Sequence, residues 1–422
     1  MLKNLLKSKP KRALILETYH SNENVEYFLD ETKALCLTAN FEPVVSILYK
    51  LKNKDSSFFI GKGKAEEIKK IILENEIEAV IIDDEVDPHF FRFLSDFWDV
   101  ELVDKSLLII SIFAKRASTK QGKLQVELAR LNYLLSQTSG WGKVLSRLGG
   151  GIGTRGPGET KKEIDKRALS LKISKLKNEI KLIEKRNRII KKRRNVSNFP
   201  NISLVGYTNA GKSTLMNILT SSNVLVKDQL FSTLDTKTAI IKFDDDTKVF
   251  LTDTVGFIRK LPHRLVEAFK ATLSQISESE LLLHVVDASK PVEIIKQDIK
   301  SVNDVLKEIN SNDIPGVLVF NKIDKCTNLT NIHDLAQLYK PYCLISAVTG
   351  YGINELLAKI KYFLYPNRII IKIFLPHEKT KIINLIKNFS GKILEKEWST
   401  SGVKITLDIP QDYADFLNDY II

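Results

Sequence analysis

With 422 residues, 43% apolar and 8% aromatic, the chain has the composition of a folded soluble protein of two or three domains. Its longest apolar runs, SLLIISIFA at 106–114 and LLLHVVDA at 281–288, fall far short of the roughly 20 residues of a membrane span. Cys36, Cys326 and Cys343 are too scattered for a disulfide framework or a zinc set, and the net charge of +13 points to a polyanionic partner, either nucleic acid or an anionic membrane surface.

The basic opening MLKNLLKSKPKR is followed by only ALIL, too short for the apolar core of an export signal, so a cytoplasmic protein is expected. From Arg12 to about Asp104, β-type runs (RALILE, PVVSILY, EAVIIDDE) alternate with helical ones (NVEYFLDETKALCLT, KAEEIKKIILENE). That alternation predicts βαβ units around a parallel sheet, an N-terminal α/β domain over 1–120.

Residues 121–195 read as pure helix. Leu124, Leu128, Leu131 and Leu135 form one narrow apolar stripe, and Leu169, Ile173, Leu176, Ile180 and Ile183 form a second, continued by Asn187 and Ile190. The spacing predicts an antiparallel coiled-coil hairpin with a glycine-rich tip at 149–158. Residues 161–194 hold 15 Lys and Arg against 4 Asp and Glu, a net of +11. Such a charge run is usually a solvated helix face, but its concentration on one stalk makes a polyanion-binding surface an equal reading. The tip contains Gly151-Ile-Gly153-Thr-Arg-Gly156, a literal G-x-G-x-x-G. The run before it, LLSQTSGWGKVLSRL, is polar, no β-strand signal follows it, and position 171 onward, where a second strand would begin, is the heptad helix, so it is a decoy for a dinucleotide site. Arg155 of the tip and Arg147 just before it, with Lys191, Lys192, Arg193 and Arg194 at the end of the stalk, are the candidate RNA contacts.

From residue 196 to 365 the βα alternation returns, with strands expected at ISLV, KVFLTD, LLLHVVD, PGVLVFN and YCLIS. His284, inside the third of these, reads as a satisfied histidine near a strand rather than a metal ligand. A tail at 366–422 has two β-type runs, IIIKIFLP and VKITLDIP, around a helical KTKIINLIKNF, and reads as a small α+β domain.

The chemistry is concentrated at strand ends. Gly206-Tyr207-Thr208-Asn209-Ala210-Gly211-Lys212-Ser213 fits G-x-x-x-x-G-K-[ST] between a β run and a helical run that opens with Ser213 and Thr214. Its backbone amides would wrap phosphates, Lys212 would reach the β- and γ-phosphates, and Ser213 would ligate Mg2+. Asp253-Thr-Val-Gly256 offers a carboxylate to the Mg2+ shell through water and an amide, at Gly256, to sense the γ-phosphate. Asn321-Lys322-Ile-Asp324 offers a carboxylate for the N1–H and N2–H2 edge of guanine, with Ser346 and Ala347 lining the base from the other side. These ordered motifs predict a GTPase. Phe257 stands where many GTPases place a water-positioning glutamine, so intrinsic hydrolysis should be slow, or another group or a partner must position water. The expected switch threonine closing over Mg2+ and γ-phosphate is Thr233, with Ser232 and Thr236 as alternatives. Asn209 is a candidate K+ ligand.

The segments IGKGKAEEI, AKRASTKQGKLQVELARLNYL, GGGIGTRGPGET with EIDKR, LFSTLD, DTVGFIRKLPHRLVEAFKATL and NKID together resemble the HflX family of ribosome-associated GTPases over nearly the whole chain. The resemblance implies binding to the large ribosomal subunit and its rRNA and the splitting or rescue of stalled ribosomes, typically under stress, with the helical linker approaching the peptidyl-transferase region. Some members also hydrolyse ATP through the N-terminal domain, and this sequence has no second Walker motif. It departs from the family at Thr236, often proline, and at Lys161-Lys162, often Gln-Leu. A GTP-regulated RNA-binding assembly factor is the alternative, peripheral membrane association is weaker, and a monomer is favoured.

Overall fold

The computed structural model describes all residues except 1–8, 20–24, 52–58, 140–160, 195–198, 221–230, 232–235, 245–246, 260–264, 266–268, 270–272, 274, 366–367, 380–381, 384–385 and 387–391. At 138–139, 161–165 and 187–194 it describes the helical backbone alone. The chain divides into two units: Met1–Ile183 with Asp228–Asp235 and Arg259–Lys270, and Glu184–Lys227 with Thr236–Ile258 and Ala271–Ile422.

The first unit is built on four parallel strands, β1 (Lys11–Tyr19), β2 (Phe41–Lys50), β3 (Ala79–Ile82) and β4 (Glu101–Asp104), in the order β2-β1-β3-β4. Helices α1 (Val25–Ala39), α2 (Lys62–Glu74), α3 (Pro88–Trp98) and α4 (Lys105–Arg116) follow them in turn. All four residues of β3 and the centre of β1 are buried, as expected of strands covered on both faces. Alternation sends Leu14, Leu16, Val80 and Ile82 into one core with Ala65, Ile68 and Ile72 of α2 and Leu94 and Trp98 of α3. The Trp98 indole N–H donates to the Ala65 carbonyl at 3.0 Å, which spares the buried ring an unmet donor. Helix α3 starts where the sequence dictates, with the Asp87 side chain accepting from the His89 amide and Pro88 opening the first turn. The apolar run 106–114 lies in α4, started by Asp104 Oδ1 accepting from the Leu107 amide at 2.8 Å.

Two long helices follow, α5 (Lys120–Ser139) and α6 (Lys161–Arg194). Leu128 and Leu131 of α5 are buried, and so are Ile173 and Ile180 of α6. Leu169, Leu176 and Ile183 are partly covered, whereas Leu171, outside the stripe, is 67% exposed. On α6 the covered apolar residues are thus those of the predicted stripe, whereas α5 also buries Gln125, Val126, Ala129 and Tyr133 outside it. Lys120 pairs with Glu179 at 3.0 Å. The tip at 149–158, with Arg147 and Arg155, lies outside the described residues.

The second unit has a six-stranded sheet in the order β10-β9-β8-β5-β7-β6. Its strands are β5 (Asn201–Gly206), β6 (Lys237–Lys242), β7 (Lys248–Asp253), β8 (Leu281–Asp287), β9 (Gly316–Asn321) and β10 (Tyr342–Leu344), and β6 alone runs antiparallel to its neighbour. Every residue of the central β8 is buried. Helices α7 (Lys212–Thr220), α8 (Val292–Glu308), α9 (Leu329–Gln337) and α10 (Ile353–Leu364) complete the wound α/β part. The register pairs Leu204 with Asp253, Gly206 with Val285 and Asp287 with Asn321, so the carboxyl ends of the strands, where the motifs sit, line up along one rim.

The tail forms an antiparallel sheet, β11 (Arg368–Pro376), β12 (Lys392–Trp398) and β13 (Gly402–Pro410), in the order β11-β13-β12. Ile371, Ile373, Leu375, Val403, Ile405, Leu407 and Ile409 fill its core. The expected helix near 379–389 falls largely outside the described residues. Among the described residues, no helix is long and apolar enough to cross a membrane.

Candidate functional site

The loop between β5 and α7 needs its glycines for space. Gly206 has φ 151° and Gly211 has φ 92°, conformations that L side chains rarely adopt. A Cβ on Gly206 would run into the Val285 carbonyl, and one on Gly211 into the Asn321 amide nitrogen. Tyr207, Thr208 and Ala210 are buried, Asn209 is exposed with φ 61°, and Thr214 is partly covered on α7.

Lys212 is buried, and its ammonium donates to the Gly206 and Tyr207 carbonyls, both at 2.9 Å. Burial pushes its pKa down to about 8, with the Asp253 carboxylate opposing the shift. Burial, with the Lys212 charge, likewise pushes His284 of β8 down to about 3, so that imidazole stays neutral.

The end of β7 meets this loop. Ser213 Oγ donates to Asp253 Oδ2 at 2.8 Å, across 40 residues of sequence. A hydroxyl and a carboxylate so close are hard oxygen donors that suit Mg2+. The turn after Asp253 lies against the loop. The Phe257 amide donates to the Gly206 carbonyl at 3.1 Å, and the Thr208 amide donates to the Phe257 carbonyl at 2.7 Å. Gly256 is glycine for want of room, since a Cβ there would stand 2.9 Å from Thr208 Cγ2 and 3.1 Å from Lys212 Nζ. The Phe257 side chain is fully buried.

Asn321, at the end of β9, ties two loops together. Its Nδ2 donates to the Ala210 carbonyl at 2.9 Å, and its Oδ1 accepts from the Ala347 amide at 2.9 Å. Lys322 reaches the Asn209 carbonyl at 2.7 Å and Asp287 at 2.7 Å. Ser346 is buried and its hydroxyl accepts from the Thr349 amide at 3.2 Å. Asp324 is exposed, its carboxylate open to solvent as a group meant for a ligand edge must be.

Asp287 is a site residue that the motif reading missed. Burial alone would raise its pKa, but hydrogen bonds from Lys322 and Ser289 and the Lys322 charge hold it below the usual carboxylate value. It orients the lysine that braces the P-loop. The available signal was its place, an acidic residue ending a parallel strand as Asp253 does.

The structure therefore brings together Gly206 to Thr214, Asp253, Gly256, Asn321, Lys322, Ser346 and Ala347. Thr233 and Ser232 lie outside the described residues, and Thr236 immediately precedes β6. Lys191, Lys192, Arg193 and Arg194 form the last turn of α6.

Three family models match the chain in succession: GTP-binding GTPase N-terminal over 26–114, GTP-binding GTPase Middle Region over 116–194, and 50S ribosome-binding GTPase over 201–322. The protein named GTPase HflX in Caldanaerobacter subterraneus subsp. tengcongensis is 39% identical over 415 residues, which cover 98% of this chain and 95% of that one. The chain belongs to the HflX GTPase family. The Escherichia coli GTPase HflX is 36% identical, with 96% of this chain and 94% of that one covered. Among solved structures, a GTP-binding protein from the hyperthermophilic archaeon Sulfolobus solfataricus in complex with GDP is 29% identical, with a TM-score of 0.43 and coverage of 84% and 98%. As a member of the family the chain binds guanine nucleotides and hydrolyses GTP to GDP and phosphate.

Proposed function

We propose that this GTPase binds the large ribosomal subunit through its rRNA and splits or rescues stalled ribosomes in the cytoplasm, under stress. The observation that carries the reading is α6, one continuous helix whose residues 161–194 hold a net charge of +11. Its stripe of Leu169, Ile173, Leu176, Ile180 and Ile183 is covered, which favours the charge over a lipid-facing surface as what a partner meets. The family model described as 50S ribosome-binding GTPase supports the same direction.

In this reading Lys212 and the amides of the P-loop hold the phosphates, and the Gly256 amide reports the γ-phosphate. Ser213 and Thr233, with Asp253 through water, would hold Mg2+, which would supply positive charge where negative charge builds on the phosphoryl oxygens. Asn321 fixes the base-side loops while Asp324 accepts from the guanine edge. Asn209 contributes to a K+ site. Phe257, being buried and apolar, cannot orient the attacking water, so turnover waits on a group supplied by the ribosome.

Sedimentation of the purified protein with ribosomal subunits in GTP, GDP and a non-hydrolysable analogue tests this reading. Cosedimentation with the large subunit in the analogue, lost in GDP, is the expected result. Equal binding in all three nucleotides, without stimulated turnover, would favour the assembly-factor alternative instead.

A further inference from the structure

His284 stands in the middle of β8, in register with Val205 of β5 on one side and Leu318 of β9 on the other. Side chains alternate between the two faces of a strand, and here the faces differ. Leu283 and Val285 are fully buried, whereas Leu282 and His284 keep 4% and 8% of their surface exposed. Leu282, His284 and Leu318 line a cavity of about 480 Å3, which Ile299 and Leu306 of α8 line from the helix side. Its rim includes Gly316, the first residue of β9, and Lys340 with Pro341 just before β10, so it opens at the amino ends of the strands, away from the nucleotide loops. Every residue that lines it belongs to the second unit.

A water molecule takes about 30 Å3 of liquid, and small-molecule sites run from about 300 to 1,000 Å3, so the cavity has the size of such a site. Its deepest polar group has nothing to bond to. The His284 side chain is more than nine-tenths buried, and among the described residues neither ring nitrogen has a hydrogen-bond partner. A buried polar group left unpaired costs about 1–3 kcal/mol, and a partner inside the cavity would remove that cost. Burial, with the Lys212 charge, holds the ring's pKa down to about 3, so at neutral pH it offers one N–H, one lone pair and no charge. Charge stands at the rim instead. Lys307 near the end of α8 and Lys340 before β10 are both exposed, and among the described residues neither pairs with a carboxylate. No Asp or Glu lines the cavity.

We propose that this cavity binds a small amphiphilic anion, with an apolar body against Leu282, Ile299, Leu306 and Leu318, one polar atom bonded to the His284 ring, and its anionic group at Lys307 and Lys340. The lining decides the class. A cation would be repelled by the two ammonium groups, and a purely apolar molecule would leave the imidazole unpaired. Because the cavity opens away from the nucleotide loops, it can be filled while GDP or GTP is bound. Val205, which also lines it, directly precedes Gly206, so the occupant touches the strand that leads into the P-loop.

The test titrates the full-length protein with anilinonaphthalene sulfonate, which has a flat apolar body, one N–H and one sulfonate. Saturating GDP keeps the probe out of the phosphate site. Saturable binding of one probe per chain is expected, read by fluorescence and calorimetry. Lys307→Glu combined with Lys340→Glu should weaken it about tenfold, and His284→Phe about fivefold. Leu306→Trp, which fills the cavity, should abolish it. Competition then sorts the anion: displacement by octanoate assigns an acyl carboxylate, displacement by phenyl phosphate assigns an aromatic phosphate, and displacement by neither would overturn the proposal. So would the absence of saturable binding, or binding that the double lysine variant leaves unchanged. Both lysines are exposed, so that variant decides the matter even if His284→Phe fails to fold.

Discussion

The Lys212 ammonium is the group on which phosphate binding turns, and its burial makes binding depend on pH. In the folded chain burial brings it down to about 8, and phosphate oxygens beside it must bring it back up. A base with a depressed pKa is charged below that value and neutral above it. Tight nucleotide binding therefore belongs to the lower pH and fades as pH rises through about 8, because protonation has to accompany binding. About nine in ten Lys212 side chains are charged at pH 7 and about one in four at pH 8.5, so GDP affinity should fall about fourfold, roughly 0.8 kcal/mol, over that interval. This range stays below the pH at which guanine loses its own N1 proton. Calorimetry in two buffers of different ionisation enthalpy should find uptake of about 0.1 proton at pH 7 and about 0.75 at pH 8.5. Lys212→Arg, always charged, should show neither effect. Flat affinity and no proton uptake across the interval would refute the reasoning, since an ordinary lysine stays charged throughout.

Asp324→Asn should shift preference from GTP to xanthosine triphosphate, whose 2-oxo group suits an amide donor; unchanged discrimination in a competition assay would remove Asp324 from the base site. Gly211→Ala, with φ 92° and a Cβ driven into the Asn321 amide, should cost about 1–3 kcal/mol on thermal melting and weaken GTP and GDP alike. If Asn209 helps hold K+ beside the phosphates, turnover should be faster in KCl than in NaCl at equal ionic strength, and equal rates would sink that role. Replacement of residues 149–158 by a short neutral linker should leave intrinsic hydrolysis intact while ribosome-stimulated turnover is lost; full stimulation in the variant would make the tip a plain connector.

The P-loop domain was legible because each of its motifs is short, ends a buried parallel strand and demands glycine or charge for a local reason. Gly206, Gly211 and Gly256 are each in space that a side chain cannot share, which leaves a mark in one chain alone. The stripe of α6 was legible for a similar reason, since Ile173 and Ile180 repeat every seven residues. Strand β12, KILEKEW, was not: it lies at the edge of its sheet, most of its described side chains are exposed, and no apolar alternation marks it. Strand β6, KTAIIK, is likewise a largely exposed edge strand. The four residues of β4 were too few to register as a period. The ion pairs of Arg259 with Glu17 and Asp83, 3.1 Å each, were beyond reach, because these partners lie 242 and 176 residues away and nothing local in FIRK or in LETY foretells their pairing. Asp287 fell between these cases, with its position visible and its partner Lys322 hidden until the strands were ordered.

The central claim, a GTPase that acts on assembled ribosomes through its basic stalk, is tested most directly by light scattering of 70S ribosomes mixed with the purified protein. With GTP or its non-hydrolysable analogue the scattering should fall as subunits separate, and with GDP it should hold steady. Charge reversal of Lys191, Lys192, Arg193 and Arg194 should slow the fall and flatten its salt dependence, because fewer counterions are released. Scattering that stays constant in every nucleotide, at protein in excess over ribosomes, would contradict ribosome splitting.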